Sequence, residues 1–162
     1  RPNEAADVYV ARLAAEKSAR CLALGEASDA VAIGADTSVV VDGVILGKPR
    51  DLRDAEEMLR RLAGRTHEVM TGISVRYESI AEQAVETTAV TFATLSDAQI
   101  AWYVASGEGL DKAGAYAIQG LASRFIPAIH GSYSNVVGLP IATVERLISR
   151  VCRAVERLAQ HR

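Results

Sequence analysis

Three lysines and one aspartate stand where charged side chains could act together on an anion. Lys17 falls within the apolar stripe of a predicted helix, Lys48 lies in a short glycine-proline segment, and Lys112 directly follows Asp111. Three ammonium groups from distant stretches of the chain could neutralise the charge of a polyphosphate. Asp36 follows an apolar strand, where its carboxylate could deprotonate water or bind a divalent cation.

Each of these charged residues also has a plainer interpretation. Lys17 could extend to water from the edge of the apolar stripe, as long cationic side chains often do. Asp36 could cap the turn that follows it, Lys48 could be a solvated loop charge, and Lys112 could pair only with Asp111. The residues by themselves leave both interpretations open.

Other catalytic schemes find less support in the sequence. The three histidines, His67, His130 and His161, lack the spacing of a zinc site, and neither a Gly-x-Ser-x-Gly nor a Walker-type segment occurs. Gly114 and Gly120 do not form a dinucleotide-binding fingerprint, because no strand, glycine loop and helix follow one another there. These absences favour a phosphate site made of lysines and a metal over covalent catalysis.

The segments around the charged residues predict alternating helices and strands. Asn3 to Leu24 has the spacing of an amphipathic helix, with Asn3 as its N-cap. Its predicted apolar stripe consists of Ala6, Val10, Leu13, Cys21 and Leu24. Residues 31–35 predict a strand that ends just before Asp36, and Asp42-Gly43 predicts a tight hairpin turn.

The rest of the chain continues the same alternation. The predicted elements are a helix from Asp51 to Ala63, strands at Thr66–Tyr77 and Ala84–Leu95, a helix capped by Ser96 or Asp97, a strand at Phe125–Ile129, a polar loop at Gly131–Asn135 and a last helix starting at Pro140. We therefore expect one α/β domain spanning residues 1–162.

Composition and charge exclude several classes of protein. The chain has 162 residues, 49% of them hydrophobic and 23% charged, which excludes a disordered or fibrous protein. Its net charge of -2 argues against binding to duplex DNA or RNA. No apolar run approaches the roughly 18 residues that a membrane helix needs. The widely separated Cys21 and Cys152 predict reduced thiols, as in a cytoplasmic protein.

Several longer blocks resemble the successive motifs of the Maf family. They are Ala35-Asp36-Thr37, Gly47-Lys48-Pro49-Arg50-Asp51, Leu62-Ala63-Gly64-Arg65-Thr66-His67, residues 111–120, and residues 131–140, which read GSYSNVVGLP. The match is collinear from about Glu4 to the last helix. The resemblance implies an α/β fold with an elongated, curved mixed β-sheet flanked by helices and a nucleotide cleft, as in inosine triphosphatase-like proteins.

The resemblance also implies an activity, namely hydrolysis of a nucleoside triphosphate to the monophosphate and pyrophosphate. The sequence of residues 111–120 is similar to that of the subgroup acting on dTTP and UTP. Modified pyrimidine nucleotides are further expected substrates. Asp36 matches the proton acceptor and metal ligand, with Mg²⁺ or Mn²⁺ as cofactor. Lys17, Lys48 and Lys112 match phosphate-binding lysines, and Thr37 and Gln119 match positions associated with substrate choice. A cytoplasmic homodimer is expected.

One departure from the family pattern bears on activity. Family members begin with a strand and a Ser-x-Ser-Pro-Arg-Arg loop, followed by a metal-binding Glu, and the printed sequence contains none of these. The resemblance predicts that this chain lacks the first strand and phosphate loop, and that a protein this short would catalyse weakly or not at all. The alternative function is a non-catalytic, nucleotide-binding regulator of cell division and septum formation.

Overall fold

A five-stranded sheet is the centre of the computed structural model, which describes residues 4–24 and 30–160. Its strands are β1 Ala32–Val41, β2 Val44–Leu46, β3 Thr66–Tyr77, β4 Ile80–Thr91 and β5 Ala128–His130. They lie in the order β2-β1-β3-β4-β5. The expected α/β fold with a helix-flanked sheet is confirmed. All pairings between the described strands are antiparallel, whereas a mixed sheet was expected.

Five α-helices surround this sheet in the described part of the chain. They are α1 Ala6–Ala23, α2 Leu52–Leu62, α3 Asp97–Ala105, α4 Tyr133–Val137 and α5 Ile141–Ala159. Short 3₁₀ turns at Ala113–Ala115 and Leu121–Phe125 connect α3 to β5. None of the described helices combines the length and apolar content that crossing a bilayer requires.

Helix α1 packs closely on the sheet because glycines face it. A Cβ atom at Gly34 would lie 2.1 Å from the Ala14 carbonyl oxygen, and one at Gly72 would lie 2.2 Å from the Val10 carbonyl oxygen. These close contacts between backbones leave no room for a side chain on the sheet. The helix buries Val10, Ala14 and Ser18 against this surface.

The apolar stripe predicted for this first helix is confirmed at Val10, which is fully buried, but was wrong at its C-terminal end. Cys21 and Leu24 are exposed, and the small residue Ser18 is buried. The reason is that close packing on glycines selects small helix residues, which a search for large apolar side chains overlooks. Asn3, predicted as the N-cap, lies outside the described residues, and Ala5 occupies the N-cap position of α1.

The opposite face of the sheet carries two separate hydrophobic clusters. One is formed with α2, α3 and the 111–125 segment and has Leu59, Val69 and Phe92 near its centre. The other lies under α5 and includes Ile73 and Leu147. The polar side chain of Thr71 lies between them on β3, because residues 69, 71 and 73 face the same side of the strand. The docking of the last helix on the sheet is confirmed.

Strand β1 runs through Asp36 and does not end before it. Asp36 pairs with Gly72 in a register that continues without interruption from Ala32–Arg76 to Val40–Glu68. The prediction of a strand tip was therefore wrong. Thr37 and the valines after it favour extended backbone, and the long partner β3 supplies hydrogen bonds to both sides of the aspartate.

Three other elements differ from the predictions. Strand β4 spans Ile80–Thr91 in place of the predicted Ala84–Leu95, since a tight turn with Glu78 at φ 49° joins it directly to β3. Phe125 ends a 3₁₀ turn, and the following strand comprises only Ala128–His130. The expected polar loop begins α4 instead, because the Ser132 side chain accepts a hydrogen bond from the Asn135 amide and caps a short helix.

Candidate functional site

A cleft opens along the edge of β1. Strand β2 pairs with β1 only over Val39–Val41, so within the described chain the preceding part of this edge has no partner strand. A cavity of about 370 Å³ lies there. Consecutive strand residues point to opposite faces of a sheet. At an open edge both faces are accessible, and Asp36 and Thr37 both line the cleft.

The residues predicted as a site meet in this cleft. Those that line it are Asp36, Thr37, Lys48, Lys112 and Gln119. Lys17 joins them from α1, because its Nζ donates hydrogen bonds to Asp36 Oδ1 at 2.7 Å and to the Ala35 carbonyl oxygen at 2.8 Å. Asp36 therefore does not cap a turn. The interpretation that Lys112 pairs only with Asp111 is incomplete, since both residues line the cleft.

The cleft collects every lysine of the chain. Lysine occurs in the sequence only at positions 17, 48 and 112, and all other permanently cationic side chains are arginines. No arginine of the described residues lines the cavity. A lysine ammonium is a compact charge on a flexible stem with three rotatable donors, so it can contact an anion without a fixed geometry.

A second carboxylate, which was not predicted as a site residue, balances part of this positive charge. The hydrogen bond from Lys112 lowers the pKa of Asp111, and the nearby charge of Lys48 lowers it further. Its only signal in the sequence was its position next to Lys112. The cleft thus contains three ammonium groups and the carboxylates of Asp36 and Asp111. Because the Lys17 side chain is 55% exposed, its ammonium remains accessible to an incoming anion.

Buried aromatic side chains support the floor of the cleft. Tyr116 lines the cavity, and its hydroxyl lies 2.8 Å from Nε2 of His67, which is only 2% exposed. Burial lowers the pKa of His67 to about 4 and raises that of Tyr116. Phe92 packs edge-on against both rings. Ala115, which precedes Tyr116, adopts a left-handed backbone conformation with a φ of 59°.

Residues 136–138 line another side of the cleft, and Thr37 connects them to the sheet. The Thr37 hydroxyl donates to the Gly138 carbonyl oxygen at 3.3 Å and lies 2.9 Å from the Thr71 hydroxyl. Asn135, which is fully buried, donates to the Val69 carbonyl oxygen at 2.9 Å. These bonds hold residues 136–138 against the cavity, so Thr37 shapes the cleft as well as lining it.

The protein offers a limited set of ligands for a metal. No group of three or more His, Cys, Asp or Glu side chains in residues 4–24 and 30–160 is arranged to hold one. Oδ1 of Asp36 bonds to Lys17, and its second oxygen has no hydrogen-bond donor among the described residues. Mg²⁺ typically binds through one or two carboxylates, with substrate phosphates and water completing its coordination. The Asp36 carboxylate fits that pattern.

Fold and site together define an α/β protein with a lysine-rich cleft at an open sheet edge. The comparisons with known proteins specify this further. The family described as Maf-like protein matches residues 1–151, and the chain belongs to this family. The chain is 47% identical to a dTTP/UTP pyrophosphatase of Escherichia coli O157:H7 over 161 residues, covering 99% of this chain and 81% of the relative. It is 51% identical to a dTTP/UTP pyrophosphatase of Anaeromyxobacter sp. strain Fw109-5 over 154 residues, or 92% and 72%.

Proposed function

We propose that this protein hydrolyses nucleoside triphosphates to the monophosphate and pyrophosphate, with dTTP and UTP as preferred substrates. The observation that carries the proposal is the convergence of Asp36 with the three lysines of the chain at one cleft. The similar proteins of Escherichia coli and Anaeromyxobacter are named for this activity. Modified pyrimidine nucleotides belong to the same proposed substrate class.

In the proposed reaction, Asp36 accepts a proton from the water molecule that attacks the α-phosphorus. The bond between that phosphorus and the oxygen bridging to the β-phosphorus breaks, and its electron pair leaves with pyrophosphate. Lys17, Lys48 and Lys112 offset the negative charge that builds up on the phosphate oxygens. Lys17 also donates a hydrogen bond to Asp36 and orients this carboxylate.

A divalent cation, Mg²⁺ or Mn²⁺, is the proposed cofactor. When bound, it would withdraw charge from the phosphate oxygens and favour ionisation of water. Asp36 would hold it, through the carboxylate oxygen that Lys17 does not engage. The remaining ligands would come from the substrate and from water, as is usual for Mg²⁺.

Gln119 and Thr37 are the proposed determinants of base preference. The Gln119 side chain is exposed at the cleft and makes no hydrogen bond to other described residues. Its amide offers both donors and an acceptor, which suits the mixed edge of uracil or thymine. Thr37 acts by holding Gly138, because its hydroxyl proton is already donated to that carbonyl oxygen.

The decisive test replaces Asp36 by asparagine in the full-length protein. Asparagine keeps the size of the side chain but cannot accept the proton, and general-base catalysis is worth roughly 100- to 10,000-fold. Pyrophosphate release from dTTP with Mg²⁺ or Mn²⁺ should therefore fall at least about 100-fold. Asp42→Asn is the matched control, because Asp42 lies in the β1–β2 turn and pairs with Arg65.

Two outcomes would contradict the proposal. Equal rates in the Asp36→Asn variant and the parent protein would remove Asp36 from its assigned role. Calorimetry that detects nucleotide binding by the parent protein, without any turnover, would favour the non-catalytic regulator. Substituting Lys48 by methionine should raise KM and lower kcat, because a charge that contacts the phosphates is lost.

A further inference from the structure

The turn that carries Gln119 is held from behind by an acidic side chain outside the cleft. Oε2 of Glu108 accepts a hydrogen bond from the backbone amide of Leu121 at 2.8 Å. Oε1 of Glu108 accepts one from the hydroxyl of Tyr103 at 3.1 Å. The same Tyr103 oxygen accepts a hydrogen bond from the backbone amide of Ala117 at 3.1 Å. Both ends of the 117–121 turn are thus fixed by the Glu108–Tyr103 pair.

The backbone of this turn is built for close approach of the carboxylate. A Cβ atom at Gly120 would lie 2.3 Å from Oε1 and 2.4 Å from Oε2 of Glu108. Gly109 makes a close contact of another kind, since its Cβ would lie 2.1 Å from the Ala115 carbonyl oxygen. A larger residue at Gly120 would push the Glu108 carboxylate away from the turn.

The pair needs a carboxylate and a protonated tyrosine. Burial of Tyr103, which is 1% exposed, raises its pKa, so its hydroxyl keeps the proton that it donates to Glu108. Glu108 accepts one hydrogen bond on each oxygen. An amide of the same shape has only one acceptor oxygen and would turn an NH₂ group towards one of the two donors.

We propose that Glu108 is a positioning residue for base selection, acting through the turn that presents Gln119 to the nucleotide. This inference rests on the proposed function of the cleft. Gln119 has no hydrogen bond of its own to the described residues, so its position depends on the backbone that Glu108 and Tyr103 hold. Glu108 itself does not line the cleft and contacts no reacting atom.

The test is Glu108→Gln in the full-length protein, with Glu86→Gln as matched control. Glu86 also accepts a hydrogen bond, from Thr143 at 2.7 Å, but it lies on β4 away from the cleft. Loss of one hydrogen bond to a charged group predicts about a tenfold fall in kcat/KM for dTTP and UTP. Turnover of a purine triphosphate, which does not use Gln119 in the same way, should change less than about twofold.

Amide hydrogen exchange supplies a readout that is independent of catalysis. The Leu121 and Ala117 amides should exchange faster in Glu108→Gln, while amides of α5 stay protected. Tyr103→Phe should accelerate exchange at Ala117, because it removes the hydroxyl that accepts the hydrogen bond of this amide and that also donates to Glu108. The control variant should leave both amides unchanged.

The outcomes separate the two proposals. Unchanged selectivity in Glu108→Gln, or an equal loss with every nucleotide, would overturn the positioning role and leave the pyrophosphatase proposal standing. Unchanged exchange at Leu121 would overturn it as well. If the parent protein released no pyrophosphate from any nucleotide, the proposed function would fail, and the base selection proposed for Glu108 would fail with it.

Discussion

The buried imidazole of His67 predicts a specific loss of stability in mild acid. His67 is enclosed by Phe92 and Tyr116, and its Nε2 contacts the Tyr116 hydroxyl. Nδ1 is buried and has no hydrogen-bond partner among the described residues. A protonated ring would carry a second N–H with no acceptor, and a charge with no counterion beside it, in residues 4–24 and 30–160. The folded state therefore favours the neutral ring, and burial lowers the pKa of His67 to about 4.

The sign and size of the effect follow from this pKa. In the unfolded chain His67 should titrate near its ordinary value of 6.5. Above that pH both states are neutral, and the residue adds no pH dependence. Between pH 6.5 and 4 the unfolded state binds the proton first, so stability falls as the pH falls. At about 1.4 kcal/mol per pKa unit, the loss across this window is about 3 kcal/mol.

Urea unfolding at pH 7.5, 6.5, 5.5 and 4.5 tests this for the parent protein and for His67→Gln. Carboxylates also titrate at the acid end, but they do so in both proteins, and the difference between the two curves isolates His67. The variant should be less stable at pH 7.5 and should lose less stability on acidification. A stability difference that stays constant from pH 7.5 to 4.5 would refute the reasoning, because it would mean that His67 titrates alike in both states.

Two further predictions concern packing, and urea unfolding at neutral pH checks both. Gly72→Ala places a methyl group 2.2 Å from the Val10 carbonyl oxygen, so α1 must move by about 1.2 Å to reach the 3.4 Å of ordinary contact. The cost should be roughly 1–3 kcal/mol, and Gly47→Ala, with nothing within 4 Å, should be close to neutral. Leu147→Ala truncates a fully buried side chain of α5 and should cost roughly 2–5 kcal/mol. The same change at Leu158, 55% exposed, should cost less than about 0.5 kcal/mol.

Local signals allowed many elements to be predicted from the sequence. Asp51 accepts the Asp54 amide at the start of α2, and Ser96 forms a capping box with Gln99 at the start of α3. The Asp42-Gly43 turn joins β1 to β2 with φ values of 52° and 72°. In each case a few neighbouring residues determine the backbone. The structure confirms these elements. They could be predicted because the hydrogen bonds that form them are local.

The wrong boundaries depend on partners far along the chain. Nothing near Asp36 shows that β3, more than thirty residues later, pairs with both sides of it. The buried face of α1 is equally a property of Gly34 and Gly72 on the sheet. The Glu108 contact to Leu121 also escaped prediction, because an acidic residue after a helix usually indicates a solvated turn. Periodicity within one segment cannot contain this information.

The position of Asp36 within the strand fixes its backbone more firmly than the predicted strand tip would have done. A carboxylate at a loop would need its own support, whereas Asp36 is held by strand pairing with Gly72. The same glycine lets α1 approach the sheet, and this approach brings Lys17 within 2.7 Å of Asp36. One residue without a side chain therefore helps to set both the backbone of the proposed base and its distance from a cation. We conclude that the α1 contact at Gly72 belongs to the construction of the site as much as to the stability of the fold.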